Sequence, residues 1–256
     1  NVHSRGVAFN WGMWWLADND VMGMHVRTKD DFEREEQIFI QKFIRPGMTA
    51  LDLGAHHGLY TLLLSRLVGP TGRVIAFEPS PRERRKLKLH VILNRCTNVL
   101  VEPFALGDND DKSELFLCLG RETGCNSLRR PVVSDPVRKV MVKMTTLNCY
   151  FQKGMAEKVD FIKVDVEGAE LPVFKSASIL LKNSKPIILC ELDDQRTEPW
   201  GYSSSAIYDF LFDSGYRWYS IVREGKLNPC PKKTRYHENL LAVPEEKLRL
   251  LEDYFK

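Results

Sequence analysis

The sequence lacks the features of several common protein classes. No run approaches the roughly 20 apolar residues that a helix needs to cross a bilayer. The six cysteines never occur as Cys-x-x-Cys, so their spacing supports neither a zinc site nor a disulfide framework. The formal net charge is only +3 over 256 residues, which does not favour a bulk nucleic-acid binder. The first residues also lack the layout of a signal peptide, so we expect a cytoplasmic protein with reduced thiols.

The sequence does contain enough apolar material for a large core, with 43% hydrophobic and 10% aromatic residues. Short apolar runs bounded by glycine, proline or polar residues predict strands, and apolar residues at helical spacing predict helices. The predicted helices cover 32–44, 58–68, 81–94, 170 to about 181, and 203–214. The predicted strands cover 49–55, 73–80, 98–108, 159–170, 186–194, 216–222 and 239–243.

This alternation predicts an α/β fold with a doubly wound, mostly parallel sheet, because strands joined through helices form parallel βαβ units. Two strand-like runs around a polar loop interrupt it within 113–146, which predicts a hairpin insertion. We expect 32–256 to form one globular unit and 1–31 to be an N-terminal extension or lid. Trp11, Trp14 and Trp15 of that extension could cover a pocket or form a homodimer surface, but ordinary packing is the simpler expectation.

The segment LDLGAHHG (51–58) follows the pattern of a cofactor loop between a strand and a helix. Ligands of such sheets bind at the carboxyl ends of the strands. Asp52 would end the strand, Gly54 would let the backbone approach a ligand closely, and Gly58 would let the next helix begin tightly against it. The spacing is not GxGxxG, and an acid here would repel a pyrophosphate but suit the amino group of a methionine moiety. S-adenosylmethionine (SAM) therefore fits better than a nicotinamide cofactor.

A second carboxylate, Glu78, ends the next predicted strand in AFEPS. An acid about 20 residues beyond the glycine loop commonly accepts hydrogen bonds from ribose hydroxyls. Either acid alone could be an ordinary residue at a strand end. Together, in consecutive strands, they predict a site for a nucleotide-like cofactor.

The segments LDLGAHHGLYTLLLSRLVGPTGRVIAFEPSP and FIKVDVEGAELPVFKSA together resemble the FkbM-type family of SAM-dependent methyltransferases, whose signatures run as DvGAniGxyt, FEP and IKxDVEGxE. The resemblance extends from about Phe32 to Val243. It implies a Rossmann-like class I methyltransferase fold and cytosolic O-methylation of hydroxyls on sugars, glycolipids or secondary metabolites. One departure is His56-His57, where the family usually has Asn-Ile. The cofactor contacts that the resemblance implies come from Asp52, Gly54, His57, Gly58, Glu78 and Pro79.

The segment IKVDVEGAE (162–170) is the predicted reaction end of the site. Period-two alternation places Lys163 and Asp165 on one face of the strand. We predict that Asp165, Glu191 and Lys163 are catalytic, with Asp165 facing the methyl acceptor. The alternative is that Lys163 pairs with a carboxylate and only fastens strands together, since a buried lysine requires such a partner.

A hydroxyl acceptor needs its proton removed or its oxygen polarised as the methyl group arrives. By analogy with other class I O-methyltransferases, Asp165 and Glu191 at neighbouring strand ends could hold Mg²⁺. The alternative is a histidine base, from His56, His57 or His237, whose ordinary pKa lies near neutrality. For His237, an ordinary position in a surface loop is the alternative interpretation.

The expected partner is a small-molecule or glycan acceptor, with no nucleic acid. A nucleic-acid methyltransferase acting on amino groups usually has Pro-Pro and an aromatic residue where this chain has DVEG. A ribose methyltransferase would need a lysine-rich catalytic set and a basic face. A non-catalytic SAM-binding protein remains the third possibility, and His56-His57 is the one hint of it.

Overall fold

A computed structural model describes residues 4–9, 12–17, 32–152 and 158–255. The strands within these ranges are β1 (Ser4–Phe9), β2 (Gly12–Ala17), β3 (Thr49–Leu53), β4 (Arg73–Phe77), β5 (Val99–Glu102), β6 (Ala105–Leu106), β7 (Lys112–Cys118), β8 (Val137–Thr145), β9 (Phe161–Val164), β10 (Ile187–Asp193), β11 (Tyr216–Val222), β12 (Lys226–Pro229) and β13 (His237–Pro244). Eight of them form the central sheet, in the spatial order β12-β11-β13-β10-β9-β3-β4-β5.

The middle of this sheet is parallel, as predicted. Strand β3 pairs in parallel with β4 on one side and with β9 on the other, and β4–β5 and β9–β10 are parallel too. Strand β13 runs antiparallel to both β10 and β11, and β12 runs antiparallel to β11. The chain winds outward in both directions from β3 and β9. The carboxyl ends of these two strands are therefore the switch point where such folds bind ligands.

Helices cover both faces of the sheet. They are α1 (Arg34–Phe43), α2 (Leu59–Val68), α3 (Pro81–Leu93), α4 (Leu147–Gln152), α5 (Glu170–Lys175), α6 (Ser178–Asn183), α7 (Asp194–Thr197) and α8 (Ser205–Asp213). Short 3₁₀ segments occur at Thr123–Cys125, Glu198–Trp200, Arg223–Gly225 and Glu245–Tyr254. No helix within the described ranges is both long enough and apolar enough to span a bilayer.

The hydrophobic cores on the two faces of the central sheet follow from the period-two alternation of its strands. Ile162 and Val164 of β9 join the core that contains residues of α5, α6 and α8. Phe161 of the same strand joins the opposite core, which contains residues of α1 and α2. Lys163 shares the Phe161 side, as predicted, so its ammonium group lies on the face that α1 and α2 cover.

The predicted hairpin insertion is confirmed. Strands β7 and β8 pair antiparallel, and β6 adds to β8 to complete a three-stranded sheet beside the main one. At the amino terminus β1 and β2 form a separate two-stranded antiparallel sheet. Trp14 of β2 is fully buried and packs edge-on against His90 of α3, which supports ordinary packing, whereas Trp15 is 45% exposed. Trp11 and residues 18–31 lie outside the described residues, so a lid remains a prediction.

Three predicted elements differ from the observed ones. The predicted strand over 98–108 is two strands, β5 and β6, since Pro103 between them has no amide hydrogen for the ladder. The predicted strand over 159–170 ends at Val164, because Glu167 (φ 53°) and Gly168 (φ 96°) turn the chain. The predicted helix from 170 to about 181 is two helices, α5 and α6.

Candidate active site

A pocket of about 370 Å³ lies at the switch point of the sheet. The carboxyl ends of β3, β9 and β10 form its floor, and the first turn of α2 and the loop after β7 form its sides. Carboxylates predominate among its charged side chains. Those lining it are Glu33, Asp52, Glu122, Asp165, Glu167 and Glu191, against the cations of Lys163 and Arg196.

The glycine loop between β3 and α2 is shaped by contacts within the protein. Gly54 has a φ of +85°, and a Cβ there would lie 1.8 Å from the carbonyl oxygen of Asp165. The positive φ of Gly54 therefore serves a contact with the backbone that follows β9, and the close approach of a ligand to Gly54 stays a prediction. Gly58 (φ +96°) is the N-cap of α2, and its Cβ would lie 2.6 Å from Leu87 of α3. Gly58 thus lets α2 begin tightly against α3, and the predicted tight start against a ligand stays a prediction.

Asp52 is 2% exposed at the end of β3, where it accepts a hydrogen bond of 2.5 Å from the Thr61 hydroxyl of α2. Burial raises its pKa to about 6, although the Thr61 hydrogen bond and the nearby Lys163 act in the opposite direction. A cation arriving beside Asp52 favours its ionised form. The carboxylate is therefore suited to the ammonium or sulfonium group of a bound cofactor.

Glu78 lies at the end of β4 and is 5% exposed. Its two oxygens accept backbone hydrogen bonds from His56 and Ser80, both at 2.8 Å. Burial nevertheless raises its pKa to about 8. Glu78 and Pro79 also line a smaller pocket of about 50 Å³, with apolar walls that include Phe104 and Leu115. A carboxylate beside an apolar slot is the arrangement that binds a ribose and its base.

Lys163 is 1% exposed, and its contacts bear on both predicted roles, the catalytic one and the one that only fastens strands together. Its Nζ lies 3.5 Å from Asp165 Oδ2 and donates a 3.1 Å hydrogen bond to Asn239 Oδ1. Burial alone would lower its pKa, but the carboxylates of Asp165, Glu33 and Glu191 together raise the pKa above its ordinary value. Lys163 therefore stays charged. It links β9 to β13 while also lining the pocket.

Asp165, Glu167 and Glu191 form a carboxylate cluster whose ligand atoms all lie within 4.8 Å of one another. Burial, followed by the charge of Asp165, raises the pKa of Glu167 well above its ordinary value. The charge of Asp165, followed by burial, does the same for Glu191. Arg196 Nε lies 3.1 Å from Glu167 Oε2 and partly compensates the cluster. Like charges held this close favour retention of a proton.

The sequence profile of the methyltransferase FkbM domain matches residues 52–218, which is more than half of the chain. The chain belongs to the FkbM methyltransferase family. A curated relative, Methyltransferase 1 from Beauveria bassiana (strain ARSEF 2860), is 26% identical over 141 residues. The match covers 49% of this FkbM-family chain and 56% of the relative, so the chain spans about half of that protein's length.

Solved structures show the fold of this FkbM-family chain. An O-methyltransferase from Bacillus cereus, in complex with S-adenosylhomocysteine (SAH), is 14% identical with a TM-score of 0.51, covering 88% of this chain and 89% of that one. A candidate rRNA methylase from Clostridium thermocellum is 12% identical with a TM-score of 0.51, covering 83% and 94%. The predicted class I methyltransferase fold is confirmed.

The FkbM-family site also contains residues that sequence reasoning missed. Glu33, just before α1, accepts hydrogen bonds of 2.6 Å from the Tyr60 hydroxyl and from Asn239 Nδ2. Asn239 in turn accepts from Lys163, so one polar chain closes this side of the pocket. Glu33 carries no local motif, because its partners stand far away in sequence. Glu167, by contrast, stands in the DVEGAE motif and could have been assigned to the site from it.

Most of the predicted site residues line the pocket of this FkbM-family chain or the smaller pocket next to it, and two do not. Asp52, Lys163, Asp165 and Glu191 line it together, as do Gly54 and His57, while Glu78 and Pro79 line the smaller pocket next to it. Gly58 shapes the loop from outside the lining. His237 also lies outside, with a side chain 78% exposed and its Nδ1 3.0 Å from Asp193 Oδ2. Its use as a base is therefore disfavoured.

Proposed function

We propose that this chain transfers the methyl group of SAM to a hydroxyl group of a small molecule, sugar, glycolipid or secondary metabolite. The observation that carries the proposal is the placement of Asp52 and of the Asp165–Glu167–Glu191 cluster around one pocket. The first carboxylate suits the cationic end of SAM, and the cluster supplies a base for the acceptor. Membership of the FkbM methyltransferase family and the class I fold support this assignment.

The proposed chemistry uses the raised pKa of Glu191 within the cluster. A carboxylate of ordinary pKa is a poor match for taking a proton near neutrality, and a raised pKa improves that match. In our proposal the acceptor hydroxyl gives its proton to Glu191 or Asp165 as its oxygen attacks the methyl carbon. The C–S bond breaks, its electron pair stays on sulfur, and neutral SAH leaves. Lys163 stays protonated and orients Asp165 from 3.5 Å.

The oxygen donors of the carboxylate cluster also fit Mg²⁺, which prefers carboxylate ligands. Asp165 and Glu191 would hold the ion together with Glu167, and it would polarise the acceptor oxygen. However, Lys163 and Arg196 already lie beside two of these three carboxylates. We therefore propose that the base acts without a metal. Activity that persists in EDTA would support this arrangement, and loss in EDTA with recovery in Mg²⁺ would contradict it.

The pocket's charge also bears on the acceptor. Its six lining carboxylates outnumber its two lining cations, so an acceptor rich in phosphate groups would meet repulsion. This favours a neutral or polyhydroxylated acceptor over RNA or DNA. The cytoplasmic location and the homodimer stay predictions. All six cysteines are free.

Two measurements test the proposal. Isothermal titration should show binding of SAM and SAH but not of NADH, and binding of NADH alone would overturn it. Transfer of a labelled methyl group should then be screened over hydroxylated metabolites and glycans, with RNA as the comparison. Transfer to RNA alone would indicate a nucleic-acid methyltransferase. SAM binding without transfer to any acceptor class would indicate a non-catalytic binder.

A further inference from the structure

Beneath the cofactor loop lies a second group of metal-ligating side chains, distinct from the carboxylate cluster. His56 and His57 follow β3, and Glu83 stands in the first turn of α3. The two histidine Nε2 atoms lie 4.0 Å and 3.9 Å from Glu83 Oε1. The three ligand atoms lie within 4.8 Å of one another.

His57 is the unusual member of this group. Its side chain is fully buried, and neither of its ring nitrogens has a hydrogen-bond partner among the described residues. A buried polar group without a hydrogen-bond partner destabilises the folded state. Such a group points to a partner that the protein chain itself does not supply.

We propose that His56, His57 and Glu83 bind a transition-metal ion of the zinc class beneath the cofactor loop. Two imidazoles and one carboxylate are an established donor set for Zn²⁺, with the fourth position open to water.

The backbone conformation supports this arrangement, because it turns the side chains of the consecutive residues His56 and His57 towards Glu83. His56 has a φ of 47°, in the left-handed region, and its ring stacks on that of His57 with centroids 3.8 Å apart. Bonds of 2.0–2.2 Å to a tetrahedral ion set ligand atoms roughly 3.4 Å apart. The two histidine–Glu83 distances of 4.0 Å and 3.9 Å therefore need to contract by about 0.5 Å. The stacked rings must also tilt towards a common point, and His56, at 26% side-chain exposure, has room to do so.

The surrounding contacts match the outer shell of a metal site. Arg82 Nε donates to both carboxylate oxygens of Glu83 at 2.8 Å, and Ser80 Oγ donates to one of them at 2.9 Å. Ligating carboxylates are commonly oriented by such hydrogen bonds. His56 Nε2 lies 3.2 Å from Thr123 Oγ1, a contact that the ion would replace. Arg82 brings a positive charge, which weakens affinity, so we expect a site that loads at micromolar rather than picomolar metal.

The proposal is independent of the methyl acceptor, and its test needs no turnover. The chain is stripped with EDTA, dialysed and titrated with Co²⁺, whose visible absorption reports its ligands. We expect one Co²⁺ per chain, displaced by Zn²⁺. His57→Gln should weaken binding by at least about 100-fold, since loss of an orienting outer group alone costs 10–100-fold. Glu83→Gln should also weaken it.

Two matched variants complete the design. His237→Gln removes an exposed histidine outside the group and should leave Co²⁺ binding unchanged. Glu191→Gln removes a carboxylate of the other cluster and should also leave it unchanged. Circular dichroism and thermal melting establish that each variant is folded, with His56→Gln as the milder change if His57→Gln unfolds. Binding equal in the wild type and His57→Gln, or binding lost only in Glu191→Gln, would overturn the proposal.

Discussion

Replacing Glu78 with alanine is the sharpest test of the cofactor site. The substitution removes both oxygens that would accept the ribose hydroxyls, and a hydrogen bond to a charged group contributes about 1.5–3 kcal/mol. We therefore expect SAM to bind roughly 10- to 150-fold more weakly. Isothermal titration measures the change, with Glu114→Ala as the control, because Glu114 is an exposed carboxylate paired with Lys139 outside the site.

The same substitution affects the fold, and this effect must be measured separately. The backbone amides of His56 and Ser80 lose their acceptor. Each amide that stays buried and unpaired lowers the free energy of unfolding by about 1–3 kcal/mol. Removal of a carboxylate that burial disfavours offsets part of this loss. Thermal melting measures the net change in stability. The variant Glu78→Gln keeps one acceptor oxygen, so its SAM affinity should fall between those of the wild type and Glu78→Ala.

The raised pKa of Glu78, about 8, should make SAM affinity increase with pH. The cationic cofactor and its hydroxyl donors favour the ionised carboxylate, so binding below pH 8 must release a proton. The ratio of wild-type affinity to Glu78→Ala affinity should therefore rise roughly tenfold between pH 7 and pH 9, because titration of the cofactor's own amino group affects both proteins alike. Unchanged affinity in Glu78→Ala, or the same pH dependence in both proteins, would refute the assignment of Glu78 to the ribose.

Three further predictions concern the reaction end and the loop. Asp165→Asn should lower kcat by about 10²-fold or more with little change in SAM affinity, and near-normal turnover would favour a purely strand-fastening role. Glu191→Gln should lower kcat and shift the acidic limb of the pH–rate profile; an unshifted profile would exclude Glu191 as the base. Gly54→Ala should prevent stable folding, since its Cβ would lie 1.8 Å from a carbonyl oxygen. The control Gly201→Ala, at φ +81° with no atom within 4 Å, should lower the free energy of unfolding by only about 1–2 kcal/mol. Thermal or urea melts measure both changes.

The elements that sequence reasoning located well are those whose signal is local. The strand before Asp52, the strand before Glu78 and the helices after them have apolar periodicity and glycine or proline at their boundaries. The hairpin insertion was also visible, because two alternating runs flank a polar loop. These signals placed Asp52, Glu78, Lys163 and Asp165 at strand ends, and the parallel pairing of β3, β4 and β9 brings those ends to one edge.

What the sequence could not show depends on contacts between distant segments. Glu33 joins the pocket through Tyr60 and through Asn239, and no spacing rule relates a residue before the first helix to one in the last strand. The raised pKa of Glu191 likewise arises from the charge of Asp165 in the neighbouring strand, together with burial. The requirement for glycine at position 54 arises from a carbonyl in the loop after another strand, which no local spacing in the sequence reveals.

The hydrogen bond between Glu33 and Asn239, 206 residues apart, has a consequence for how the protein is made. Asn239 belongs to β13, which inserts antiparallel between β10 and β11. A nascent chain that has not yet released β13 from the ribosome lacks this wall of the pocket and the amide that holds Lys163. We therefore expect SAM to stabilise the complete pocket only after β13 has left the ribosome. A chain truncated before β13 should gain less stability from SAM than one that contains it.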